Sequence, residues 1–156
     1  MLEIWPEVVY PSNKLLAYLA AAQERHVQRE AEGRGCPTIL VVDDEETLAN
    51  TTVEILNMAH FCAFGAYDGQ TALELAAKLN PEILLTDVLM PGMNGVELAI
   101  AIRKLLPKTQ ILLISGQAGT IDLLEKVRVE GYRFELIAKP IHPAKLIERL
   151  NRLGKG

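Results

Sequence analysis

Residues 39–46 read ILVVDDEE, four carboxylates directly behind four apolar residues. Two carboxylates held ~4 Å apart repel by roughly 4 kcal/mol at an effective dielectric near 20, so the cluster calls for a cation or a proton. Other apolar runs also end in chemically active groups. EILLTD (82–87) ends in Asp87, QILLISG (110–116) carries Ser115, and FELIAKP (134–140) carries Lys139. If these endings meet, Asp43, Asp44 and Asp87 share one site with a hydroxyl and an ammonium. Mg²⁺ accepts carboxylates while keeping waters and sharing phosphoryl oxygens. An aspartate beside it can attack phosphorus in line as a nucleophile, with a lysine and a hydroxyl taking up the developing charge. Singly, each residue is ordinary; Asp43 or Asp44 alone suits a helix N-cap. Together they point to phosphoryl acceptance.

Such a meeting needs a scaffold. From Thr38 onward, apolar strands alternate with helical patterns. TILVV (38–42), FCAFGAY (61–67), EILLTD (82–87), QILLISG (110–116) and FELIAKP (134–140) read as five strands. EETLANTTVEILNMA (45–59) places Leu48, Thr52, Ile55 and Met58 or Ala59 at helical spacing. TALELAAKLN (71–80), NGVELAIAIRKLL (94–106), TIDLLEKVRVEG (120–131) and PAKLIERLNRL (143–153) supply the other helices. In the second of these four, Val96, Leu98, Ile100, Ile102 and Leu105 are available to a core. Parallel strands need crossovers, and those crossovers are right-handed. The fold class is therefore α/β, a doubly wound five-stranded parallel sheet with helices on both faces. In such sheets functional groups gather outside the carboxyl ends of the strands, where all the acids, Ser115 and Lys139 fall.

The chain of 156 residues is 49% apolar and 23% charged, with a net charge of −4. That balance suits one globular domain and argues against direct nucleic-acid binding, which needs a basic surface. No run is long enough to span a bilayer, and the N-terminus lacks the basic region of a signal peptide. Cys36 and Cys62 belong to no CxxC and are expected to be reduced apolar fillers in a cytoplasmic protein. His26, His60 and His142 show no metal-ligand spacing. Residues 1–36 form an N-terminal extension and hinge, and 37–156 the main domain. Within the extension, 12–32 reads as one helix with Ser12 as N-cap and Gly33 as its stop. It is open to packing on its own domain, to homodimerisation or partner docking, and to acting as a mobile arm.

ILVVDDEE, LLTDVLMPGMNGVEL, LLISGQ and LIAKPI together resemble the motifs of bacterial two-component response regulator receiver domains, over about residues 38–153. The resemblance implies a flavodoxin-like fold with strand order 2-1-3-4-5 and a Mg²⁺-dependent phosphotransfer from a histidine kinase or phosphotransfer protein. It implies Asp87 as phosphoacceptor, Asp43 and Asp44 as the metal-binding acids with Asp87, and the backbone carbonyl of Leu89 as a further ligand. Ser115 matches the switch hydroxyl and Lys139 the conserved-type lysine of the motif, with Lys139-Pro140 in cis. Such a protein is a signalling component rather than an enzyme, acting through protein contact on the face of the fourth helix, fifth strand and fifth helix. Because the chain ends at Gly156, a stand-alone receiver is expected, although a piece of a longer regulator fits as well.

Two departures matter. Leu136 stands three residues before Lys139, where the family has an aromatic switch residue, and Tyr132 and Phe134 are displaced from that position. Leu89, two after Asp87, cannot orient an attacking water, which implies slow self-hydrolysis. It also argues against a Mg²⁺-dependent aspartyl-phosphate hydrolase, which wants an acid there. A phosphorylation-independent binding module is the remaining alternative.

Overall fold

The computed structural model describes residues 35–116 and 120–154, together with Glu24 and Gln28, which are both helical. The helix expected over 12–32 otherwise lies outside the described residues. The elements run β1 (Thr38–Val42), α1 (Glu46–Met58), β2 (Cys62–Ala66), α2 (Gly69–Leu79), β3 (Ile83–Asp87), α3 (Gly95–Leu105), β4 (Gln110–Ser115), α4 (Thr120–Val129), β5 (Glu135–Ala138) and α5 (Pro143–Gly154). All five strands are parallel, in the order β2-β1-β3-β4-β5. Both the doubly wound class and the expected order hold.

Side chains alternate across a strand, and the two sheet faces build separate cores. Leu40, Val42 and Leu84 face the layer containing Leu75, Ala99, Ile102 and Val127 of α2, α3 and α4. Ile39, Val41 and Leu85 face Val53 and Leu56 of α1 and Leu146 and Leu150 of α5. The central strands are buried on both sides, which is why they read as continuous apolar runs.

Helix α1 buries a different stripe from the one its larger apolar residues suggest. Ala49, Val53 and Leu56 pack inward, while Leu48 and Met58 are exposed. The cause is close approach: β2 is CAFGA, and Gly65 leaves room for a Val53 methyl. Small side chains let the helix sit close on the sheet, and full burial of a Val or Leu is worth about 1.5–3 kcal/mol. The stripe of Leu48, Thr52 and Ile55 is thereby turned toward the rim of the sheet. In α3, likewise, Val96, Leu98, Ala99 and Ile102 are buried, whereas Leu105 is exposed.

The cysteines correct a second expectation. Cys36 and Cys62 are joined in a disulfide rather than standing as separate thiols. The reason is register: Thr38 pairs with Cys62 across the first two strands, and the Cys62 N–H donates to the Pro37 carbonyl. Cys36, just upstream, then lies 5.6 Å from Cys62 between Cα atoms, within the span a disulfide bridges.

Candidate functional site

Four of the five strands deliver a group to the same rim. Asp43 follows β1, Asp87 ends β3, Ser115 ends β4 and Lys139 follows β5. Carboxylate oxygens of Asp43, Asp44 and Asp87 all lie within 4.8 Å of one another. The Lys139 Nζ stands 3.5 Å from Asp43 Oδ2 and 3.6 Å from Asp87 Oδ1. Residues far apart in sequence therefore converge, as the strand-end rule requires.

Local folding explains the placement. Asp43 is no helix cap: Glu45 occupies the N-cap of α1, and its side chain makes no capping bond. The Asp43 carboxylate instead accepts the Glu45 N–H at 3.0 Å, which tightens the turn and holds the acid over the sheet. Asp87 accepts the Val88 N–H at 3.0 Å. Behind it, Gly95 opens α3 so close that an added Cβ would overlap the Asp87 carbonyl oxygen. Asn94 and Glu97 form a reciprocal capping box there, and the Gly95 N–H donates to the Val88 carbonyl at 2.7 Å. The PGMNG segment thus fixes the backbone next to the Asp87 carboxylate. Lys139 is held by its own N–H, which donates to the Ser115 carbonyl at 2.9 Å, and Lys139-Pro140 is cis, as expected.

Electrostatics follow from this crowding. Burial pushes the Asp87 pKa above the ordinary aspartate value. Lys139 pulls it back, Asp43 pushes it up, the Val88 N–H lowers it and Asp44 raises it again. An acid whose ionised form is costly beside two others is the situation a hard cation relieves. The donor set, three carboxylates with oxygens within reach of one ion, fits Mg²⁺.

Three features of the site escaped the sequence. The Ser115 hydroxyl pairs with the Thr120 hydroxyl at 2.5 Å; the only signal was a threonine at the start of the fourth helix. A groove of about 320 Å³ runs from Asp43, Asp87 and Lys139 along Leu48, Ile55 and Ile141. Finally, Leu136 on β5 and Phe134, just ahead of that strand, both pack against the α2–α4 core layer. Tyr132 stacks on Phe134 at 6.0 Å, and Arg103 lies over the Phe134 ring. The side chain of Leu89 is exposed to 45%.

Comparison with known proteins agrees with this geometry. Residues 39–151 match the family model for the response regulator receiver domain. The chemotaxis protein CheY of Thermotoga maritima is 30% identical over 118 residues, which cover 75% of this chain and 97% of that protein. The DNA-binding response regulator MtrA of Mycolicibacterium paratuberculosis is 30% identical over 72% of this chain but only 48% of its own length. Among solved structures, chemotaxis protein CheY4 of Vibrio cholerae superposes with a TM-score of 0.68 at 27% identity, covering 76% of this chain and 99% of that one. The chain belongs to the response regulator receiver domain family. Among the described residues, no helix is long and apolar enough to cross a membrane.

Proposed function

We propose that this protein is the phosphoacceptor of a two-component or phosphorelay system, modified on Asp87 by a histidine kinase or phosphotransfer protein. The observation that carries the reading is the convergence of Asp43, Asp44, Asp87 and Lys139 at one rim. An Asp87 oxygen attacks the phosphorus of a phosphohistidine; the P–N bond breaks, and its electron pair leaves with the imidazole. Asp43, Asp44, Asp87 and the Leu89 carbonyl would hold Mg²⁺, which supplies positive charge for the transferring phosphoryl oxygens. Lys139 steadies a further phosphoryl oxygen, and Ser115 donates its hydroxyl to another once the adduct exists.

The groove supports a protein donor. It is apolar along Leu48 and Ile55 and ends at Asp87, so a helix carrying the phosphohistidine can seat there with its imidazole over the acceptor. Output is by protein contact on the α4–β5–α5 face, where Ile121 and Val129 are exposed. Residues 1–36 are then an extension of a receiver comprising 37–156, and the setting is cytoplasmic.

Intact mass spectrometry after incubation with acetyl phosphate and Mg²⁺ tests the proposal. One phosphate adduct on the wild-type chain, absent from Asp87→Asn and from samples in EDTA, is expected. No adduct would leave a phosphorylation-independent binding module, and rapid multiple turnover would make the protein a hydrolase.

A further inference from the structure

We propose that Thr120 is a latch for the Ser115 switch: its hydroxyl holds Ser115 in the resting position and so sets how readily the domain adopts its activated state. The inference rests on Asp87 being the phosphoacceptor. Ser115 closes β4 and Thr120 opens α4, and their hydroxyls stand 2.5 Å apart. Both are buried, Ser115 to 4% exposure and Thr120 to 1%. Parting them costs each buried hydroxyl a hydrogen bond, so the two hold each other.

The register says what disturbs the pair. Asp87 lies opposite Ile114 across β3 and β4, one residue before Ser115. The Ser115 carbonyl is fixed by the Lys139 N–H, so its hydroxyl changes partner by turning its side chain while the strand stays in place. Turning toward a phosphoryl oxygen on Asp87 takes the hydroxyl away from Thr120. That loss falls on α4, whose only buried residues among those described are Thr120 and Val127. Leu123 and Leu124 add partly buried contacts to the same core, but a helix with only two fully buried residues shifts when one of them loses its bond. Thr120 therefore couples the acceptor to the α4 surface directly, which matters in a chain with Leu136 where the usual aromatic would stand.

The direction follows. Thr120→Val keeps the shape of the side chain but removes the hydroxyl. It deprives resting Ser115 of that bond and spares the activated state an abandoned hydroxyl, so both effects favour activation.

The test is a calorimetric titration of the full chain with beryllofluoride and Mg²⁺, a phosphoryl mimic that binds a carboxylate. Thr120→Val should tighten binding by about threefold to tenfold, the range of one net hydrogen bond, and Thr120→Ser should restore the wild-type value. In a Ser115→Ala background, Thr120→Val should change nothing. An equal effect in both backgrounds, or weaker binding in Thr120→Val, would overturn the latch and leave the acceptor assignment standing. Equal titration of wild type and Asp87→Asn would instead remove the acceptor and the latch with it. Thr120→Ala in the same cycle serves should the valine variant not fold.

Discussion

Lys139 and Asp87, which close opposite halves of the fold, stand 3.6 Å apart between Nζ and Oδ1. The same ammonium reaches Asp43, so one cation answers two of the three acids, and the third is unanswered by Lys139. That imbalance defines what the rim needs before it can work.

Removing the ammonium shows its share. The side chain of Lys139 is 32% exposed, so water screens part of its effect. Lys139→Ala should slow phosphorylation by acetyl phosphate on the order of tenfold to a hundredfold, toward the lower side of what loss of one charge-stabilising group costs. Quench-flow mass spectrometry reads the rate, and an unchanged rate would assign the stabilisation elsewhere.

The raised pKa of Asp87 makes stability depend on pH and metal. Between 3.8, the ordinary aspartate value, and the raised value in the fold, the folded chain holds a proton that the unfolded chain has lost. Metal-free stability therefore falls as pH rises through that window and stays lower above it. Asp87→Asn cannot ionise, so in EDTA at pH 7 it should melt a few degrees higher than wild type and lose the fall in that window. Added Mg²⁺ should narrow the gap by stabilising the wild type more. Thermal melts across pH with and without chelator decide the matter, and a lower Tm for the variant in EDTA would contradict the burial argument.

Leu89 bears on the lifetime of the phosphoryl group. It lies two residues beyond Asp87 with its side chain out toward solvent, and it offers no polar atom to orient water. The adduct should persist for minutes or longer, and Leu89→Asn should shorten it severalfold. Loss of label after removal of the phosphodonor measures this; a wild-type lifetime of seconds would refute it.

The disulfide closes a long loop, joining cysteines 26 positions apart in sequence. Restricting that loop in the unfolded chain is worth about 3.5 kcal/mol in the chain-entropy model. Replacing both cysteines by serine, or adding excess dithiol, should lower the Tm by roughly 10 °C. In a reducing cytoplasm such bridges are rare, so the melt in dithiol describes the chain there. Unchanged melting in both treatments would mean that the pairing adds nothing.

Much of this is legible in the amino-acid sequence. Continuous apolar runs such as TILVV and EILLTD marked buried parallel strands, because burial on both faces removes alternation. The acids, Ser115 and Lys139 could be assigned to one rim because strand ends in such sheets converge there. What escaped depended on distances between elements. Two stripes of α1, Leu48–Thr52–Ile55 and Ala49–Val53–Leu56, have the same spacing, and only the closeness of Gly65 selects the smaller one. Cys36 and Cys62 bond through the register of β1 and β2, which spacing along the chain does not encode. The hydroxyl pair of Ser115 and Thr120 joins a strand end to a helix start, and neither residue type announces it.

Cys36 and Cys62 sit where β1 and β2 begin, whereas the acids sit where the strands finish. In a sheet whose strands all run one way, those are opposite poles. The described chain consequently enters the sheet at the pole opposite the acidic rim, so the bridge can open or close without touching the carboxylates.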